Sequence, residues 1–429
     1  MRTVSKTVIG VDFGTQSARA VLVNAENGEI IYSCRKEYSY NSTPVPAIDC
    51  AENLPCATDY EMTLYELLRN VIPEEYRKTV AGICVDATSL TMVLLAEDGR
   101  ALSELDGWSE AAHARVKLWK YHRAQEKADE ALNLARNLQE PFLGRTGGSI
   151  SCEWMLPKLL EVRDEAPEIY SKIDLAMDLC EFLTFRLTGQ LVRSIGSLSY
   201  KCLWAEDLSF PERTFLNGLR AGFYEEYCHF LRGDVRKPGE CAGMLRSELT
   251  KRWGLPEQIP VATGMLDGHT SLATMGAFEP GDAALIVGTS NVCTVQDRKL
   301  QELKDVCGVA QDGMVTGSCG IDTGQSSTGN MLGWFVEHMA GWQIHREAEE
   351  RKISPHQVLA ERIQKPWENK VIAVDWWSGS RNAPCDLTLR GSMSGLEMDT
   401  KTEDIYLALL QAIACGTGTI LESLSGQGV

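Results

Sequence analysis

The sequence predicts an α/β protein of two domains, and three observations carry that prediction. Short β-type runs alternate with amphipathic helical stretches along the whole of its 429 residues. The chain opens on a strand, a turn dense in glycine and hydroxyls, and a second strand: Val8 to Val11, then Asp12 and Gly14-Thr15-Gln16-Ser17, then Ala20 to Val23. The same plan returns downstream as Asp282 to Val287, Gly288-Thr289-Ser290 and Asn291 to Gln296, a weak internal duplication. The expected domains are 1–255 and 256–429.

The individual elements follow from local pattern. Asn27-Gly28 marks a tight turn into a third strand, Glu29 to Tyr32. A looser segment with Pro44, Pro46 and Pro55 spans 39–57, and Tyr60, Leu64, Leu67 and Leu68 then share one face of a helix over 59–70. Val80 to Val85 is a buried-type strand ending at Asp86 and the turn Thr88-Ser89, and Thr91 to Ala96 is another. Helices are expected within 111–138, over 153–165, and over 174–188 with Gly189 as C-cap. Ser194 to Trp204 reads as a loop carrying a lone Lys201. A strand at Val261 runs into Asp267, with a helix from Thr270 to Gly276 and a long final helix from Thr402 to Leu424.

Composition narrows the partners. A net charge of −17 argues against nucleic-acid backbones and anionic membranes, and leaves small phosphorylated molecules open. Fourteen cysteines are scattered singly without a C-x-x-C pair, which excludes a zinc ribbon or thioredoxin-type site. Those in apolar runs (Cys84, Cys180, Cys293, Cys415) read as buried free thiols of a reducing cytosol. The start lacks a signal-type apolar region, and no apolar stretch is read as reaching the roughly 20 residues that span a bilayer. The expectation is a soluble, cytoplasmic protein.

The chemistry sits at the turns. Gly14 lets main-chain N–H groups approach an anion, Thr15 and Ser17 add donors, and Asp12 at the strand end can hold Mg²⁺ through oxygen. The same segment alone fits an ordinary polar hairpin equally well. Asp267 is either the cap of the helix that follows or a general base taking a proton from a substrate hydroxyl; the Gly288-Thr289-Ser290 turn close behind favours the base. His269 reads as structural, and Lys201 as a surface lysine or a sugar or phosphate contact. The Gly320 to Gly333 loop offers Asp322 and Gln325 as substrate contacts. Trp376-Trp377-Ser378-Gly379 is a binding turn or core packing.

Taken together, VIGVDFGTQSARAVLV, GMLDGHTSL, LIVGTSN and GQSSTGNMLGWFVEH resemble, in order and over essentially the whole chain, the FGGY carbohydrate kinases of the actin–Hsp70–sugar kinase superfamily. Within that family, Val85 to Thr91, CEWMLPKLLEV, YKCLW, TGQSSTGNMLGWFVE and VDWWSGSRNAP are most similar to the ribulokinases. The resemblance implies a two-domain actin-like (ribonuclease H-like) ATPase fold with a central cleft that closes on substrate. It implies ATP-dependent phosphorylation of L-ribulose at its terminal hydroxyl, with Mg²⁺ and with a homodimer as the expected assembly. Asp267 matches the catalytic base, and Asp12 with Asp267 the metal site. Gly14, Thr15, Gln16 and Ser17 match the first phosphate loop, and Gly288, Thr289 and Ser290 the second. Ser89, Lys201, Asp267 and Asp322 fall at ketose contacts, although ribulokinases usually carry Glu at the place of Asp322 and a smaller residue at that of Ser89. Lys120-Tyr121-His122 also departs from the family's more usual Lys-Asp-His. FGGY kinases continue past the helix corresponding to 402–424 with a strand and a Gly-Gly loop that hold adenosine, so the resemblance implies a second domain lacking that end. It leaves open a catalytically impaired sugar-binding remnant, or a kinase for another pentulose or pentitol.

Overall fold

The computed structural model describes residues 5–38, 54–364, 366–381, 386 and 388–429. Most of the proline-containing connection at 39–57 and the Arg-Asn-Ala-Pro run of the VDWWSGSRNAP motif lie outside the described residues, apart from its arginine. The chain forms two compact units. The first comprises Met1–Leu143, Ile150–Gly276 and Ala310–Gly320, and the second Gly144–Ser149, Ala277–Val309 and Ile321–Val429.

The first unit opens with β1 (Thr7–Phe13), β2 (Ser17–Asn24) and β3 (Ile30–Glu37), an antiparallel meander. Alternation in β1 sends Thr7, Ile9, Val11 and Phe13 to the buried side and Asp12 to the other. Gly28 takes φ +73° at the Asn27-Gly28 turn, where its missing Cβ removes the steric cost. Helix α1 (Ala57–Asn70) buries Tyr60, Leu64, Leu67 and Leu68, the face expected from their spacing. Each such side chain, fully buried, contributes about 1.5–3 kcal/mol. β4 (Val80–Ala87) then pairs parallel to β1 in a register that sets Asp12 opposite Asp86. After β5 (Met92–Leu95) come α2 (Gln125–Leu138), α3 (Met155–Glu165) and the short α4 (Pro167–Tyr170).

Residues 174–188 are not one helix. β6 (Leu175–Asp178), buried throughout and antiparallel to β5, hands over to α5 (Leu179–Thr188) at a capping box of Asp178 and Glu181. Gly189 ends α5 with φ +71°. The expected loop after β7 (Val192–Ser194) is a helix, α6 (Ile195–Lys201), with Lys201 in its last turn. Apart from Tyr200 and Lys201 its residues are small or apolar, and nearly all are buried, so no polar stripe signals it. At Gly196 a Cβ would lie 2.5 Å from the Gly313 carbonyl oxygen. Next come α7 (Arg213–Leu219), α8 (Phe223–Phe230), β8 (Asp234–Arg236), β9 (Cys241–Met244) and α9 (Ser247–Trp253).

β10 (Pro260–Ala262) and β11 (Met265–Leu266) both pair parallel with β4, and α10 (Asp267–Met275) follows directly. The main sheet runs β3-β2-β1-β4-β10-β9. Because β10 and β11 complete this sheet, Asp267 belongs to the first unit, and the boundary falls at Gly276/Ala277 rather than at 255/256.

The second unit contains β12 (Ala283–Val287) and β13 (Asn291–Asp297), the echoed hairpin. With β14 (Gly308–Gln311) and β15 (Cys319–Gln325) they form a sheet ordered β12-β13-β15-β14. Half of the expected 320–333 loop is therefore the fully buried strand β15, whose small residues let neighbouring backbone approach. Helices α11 (Gly329–Met339), α12 (Trp342–Arg351) and α13 (Pro355–Arg362) follow. The ribbon of β16 (Ile372–Val374) and β17 (Ser392–Ser394) leads to α14 (Thr402–Gly426). Phe335, Val358, Leu359, Tyr406 and Leu409 centre this unit's helical core. Trp377 packs on Trp334 with ring centroids 4.7 Å apart and donates its indole N–H to the Val374 carbonyl, a packing role.

Two compositional expectations are corrected. By length and composition α14 is apolar enough to cross a membrane. Yet its first turn carries Glu403 and Asp404, and Tyr406, Leu407 and Leu409 are buried within the unit. Cys180 and Cys293 are buried free thiols and Cys84 is partly buried, whereas Cys415 is exposed on α14.

Candidate active site

Three parallel strands of the first unit end in carboxylates. Asp12, near the end of β1, keeps a half-exposed side chain with Arg19 Nε 3.8 Å from its Oδ2. Its neighbour Asp86 on β4 is mostly buried. Burial, and then the charges of Asp12 and Asp267, push the Asp86 carboxyl up to about 8. Its Oδ1 is buried without a hydrogen-bond partner among the described residues. Asp86 was not singled out from the sequence, although a buried-type strand closing on an aspartate is the signature that marked Asp12. Among the described residues, no group of three or more His, Cys, Asp or Glu is arranged to hold a metal by itself.

Asp267 begins α10, and Leu266 rather than Asp267 is the N-cap. The Asp267 carboxylate accepts from the Gly268 N–H at 2.7 Å, and the nearby Ser89 N–H favours its charged form. Burial raises its pKa to about 6, with the charge of Asp12 adding to the rise. The two N–H groups and the nearby Lys201 ammonium oppose it. A carboxylate poised there is suited to accept a proton near neutral pH.

Lys201 is buried at the end of α6, with its Nζ 5.9 Å from the Tyr200 ring centroid. Tyr200 donates to the Gly320 carbonyl at 2.8 Å and meets the buried His269 edge-on at 4.7 Å. Ser89 Oγ is buried and has no hydrogen-bond partner among the described residues. The structure thus brings Ser89, Lys201 and Asp267 together within one unit, with Asp12 beside them.

In the first turn the Gly14 N–H bonds the Ser17 carbonyl at 3.1 Å and the Tyr38 hydroxyl bonds the Gly14 carbonyl at 2.9 Å. Trp119 Nε1 donates to Thr15 Oγ1 at 3.1 Å, and Arg35 Nε to Ser17 Oγ at 3.0 Å. Each hydroxyl oxygen thus accepts a hydrogen bond from within the protein. Gln16 is exposed. Trp119, Tyr38 and Arg35 went unnoticed in sequence because they come from distant segments.

In the second unit the Gly288 N–H bonds the Ser290 carbonyl at 3.0 Å. The start of α11 clamps this turn: the Gly329 N–H bonds the Gly288 carbonyl at 3.0 Å, and the Asn330 N–H the Thr289 carbonyl at 3.2 Å. Asp322 is buried in β15, where its charge helps to raise the nearby Cys293 thiol, itself lifted mainly by burial. Gln325 was expected to contact substrate, but its amide is already engaged. Oε1 accepts from Asn291 Nδ2 at 2.9 Å and Thr417 Oγ1 at 2.7 Å. Nε2 donates to Asp375 Oδ2 at 2.6 Å and the Ile413 carbonyl at 3.0 Å. With two donors and two acceptor positions filled, Gln325 is a structural knot.

Residues 7–274 match the profile of the FGGY family of carbohydrate kinases, N-terminal domain, and residues 283–429 its C-terminal domain. The chain belongs to the FGGY family of carbohydrate kinases and has that family's two-domain, mixed α/β fold. It is accordingly a sugar kinase, with ATP as its second substrate. A ribulokinase of Mycolicibacterium smegmatis is 36% identical over 440 residues, covering 99% of this chain and 77% of the relative. A ribulokinase of Halalkalibacterium halodurans is 34% identical over 435 residues, with the same coverage. Among solved structures, a ligand-bound xylulose kinase from Lactobacillus acidophilus matches with TM-score 0.77 at 18% identity, covering 98% of this chain and 78% of that one.

Proposed function

We propose that this kinase transfers the γ-phosphoryl group of ATP to the terminal hydroxyl of L-ribulose, giving L-ribulose 5-phosphate. The observation that carries the reading is the Asp267 carboxylate, bonded by the Gly268 N–H, with the Ser89 N–H and the buried Lys201 nearby. Such a base takes the proton of the attacking hydroxyl, which typically contributes 10²–10⁴-fold in rate. Lys201 and Ser89 bind the ketose and Asp322 adds a further contact. The Gly14–Ser17 and Gly288–Ser290 turns donate to phosphate oxygens. The identity to ribulokinases supports L-ribulose over other pentuloses.

The oxygen-only donor set suits Mg²⁺, which is commonly held by one or two carboxylates with phosphates and waters completing its shell. Asp12 and Asp267 are the carboxylates that would hold it, and bound there it would neutralise phosphate charge. The reading also places the enzyme in the cytoplasm, with sugar and ATP as its small-molecule partners and a homodimer as the expected assembly.

The test is ADP release with Mg-ATP across a panel of pentuloses and pentitols. L-ribulose should give the highest turnover, and Asp267→Asn should lower it at least about 100-fold. Sugar binding without ADP release would instead favour a non-catalytic sugar-binding protein, and a different preferred sugar would overturn the substrate assignment.

A further inference from the structure

Two fully buried ionisable side chains bond Leu90, the residue after Ser89, and neither has a part in the chemistry above. Lys158, on α3, donates from Nζ to the carbonyls of Leu90 at 2.6 Å, Leu118 at 2.9 Å and Lys117 at 3.3 Å. Asp178, at the junction of β6 and α5, accepts the Leu90 N–H on Oδ2 at 3.0 Å. Burying an ammonium is costly, and an apolar side chain would fill the same space more cheaply. Here all three ammonium protons are taken by main-chain carbonyls, two from residues 117–118 and one from Leu90.

Leu90 is the residue after Ser89, and its φ of +64° lies in the left-handed region that a branched side chain avoids. Holding both its N–H and its C=O fixes the two peptide planes that flank it. On the other side, the Thr88 N–H bonds the Phe13 carbonyl at 2.9 Å, and the hydroxyls of Thr88 and Thr91 bond across the turn at 2.9 Å. The Ser89 N–H, one of the two N–H groups that favour the charged form of Asp267, is therefore set from both sides. The same junction reaches Lys201: Glu181, partner of Asp178 in the capping box, accepts the Ser194 N–H at 2.9 Å at the start of α6.

We infer that Lys158 and Asp178 are positioning residues for the Asp267 carboxylate, acting by locking Leu90 in its left-handed conformation and so aiming the Ser89 N–H. The inference rests on Asp267 being the base of the proposed reaction.

The experiment measures kcat and sugar KM with L-ribulose and Mg-ATP for Lys158→Met, Asp178→Ala and Asp178→Asn. Each is made in the wild-type and Asp267→Asn backgrounds, with slow variants read in single-turnover mode. Lys158→Met and Asp178→Ala should lower kcat about 10- to 100-fold with sugar KM little changed, the scale expected for a misplaced reacting group. Neither should lower the residual rate of Asp267→Asn further. Asp178→Asn, which keeps an acceptor for the Leu90 N–H, should retain most of kcat. Equal losses in both backgrounds, or an Asn variant as impaired as the Ala variant, would overturn the inference and leave the kinase reading intact. Full turnover by Asp267→Asn would overturn the reading itself. If Lys158→Met does not fold, the two Asp178 variants carry the test.

Discussion

Asp164 shows how one side chain ties helices together. Lys127 of α2 lies 2.6 Å from its Oδ2, and Arg220 Nε donates to its Oδ1 at 2.8 Å. The Arg220 hydrogen bonds, with Lys127 adding, hold its carboxyl down to about 2. A carboxylate with a depressed folded-state pKa stabilises the native state above its ordinary pKa near 4, and that share is lost as pH falls through about 2. With a quarter of the side chain exposed, the share is about 1 kcal/mol. Thermal melts from pH 6 to pH 2 should fall more steeply for the wild type than for Asp164→Asn; parallel curves would show that the pair adds nothing. At this scale the sequence was legible where a carboxylate sits at the end of a strand, as with Asp12 and Asp267. It was not legible where a role depends on what the fold brings near. Gln325 sits in a donor-rich motif, but Asn291, Asp375 and Thr417 engage its amide. Asp178 and Lys158 look like ordinary surface charges until they are found buried.

Elements with a regular period were readable. The spacing of Tyr60, Leu64, Leu67 and Leu68 identified α1, and both hairpins were visible from turn chemistry. The short buried elements were not, because β6 and α6 have no polar face to alternate with an apolar one. Close backbone contact is equally silent in sequence. At Gly329 a Cβ would sit 2.4 Å from the Gly288 carbonyl oxygen, so the first turn of α11 reaches the β12–β13 turn only because that side chain is missing. Gly329→Ala should destabilise the protein by about 1–3 kcal/mol, the usual cost of overpacking. It should also raise the KM for ATP while leaving that for the sugar unchanged. A lowered melting temperature with an unaltered ATP KM would remove the second turn from the phosphate site.

For the molecule as a whole, two units and a shared hairpin plan were legible in the chain, but the boundary between units was not. Residues 256–276 read as the start of the second domain, yet β10 and β11 pair back onto β4, a long-range choice that no local signal marks. Net charge acts at this scale too. With 42 basic and 59 acidic side chains, the protein repels the anionic nucleotide it must bind. Raising ionic strength from about 10 mM to 100 mM shortens the Debye length from about 30 Å to 10 Å. The KM for Mg-ATP should therefore fall over that range, while that for the uncharged sugar stays level. A rising nucleotide KM would mean that local cations outweigh the global field.

The indole of Trp119, bonded through its N–H to Thr15 in the first turn, makes the protein its own optical gauge. Indole emission responds to the polarity and hydrogen bonding around its nitrogen, and Thr15 is among the groups a phosphate would engage. Titration with Mg-ATP should change the intrinsic fluorescence, and the change should disappear in Trp119→Phe. Nucleotide occupancy could then be followed in real time without a label, separately from turnover.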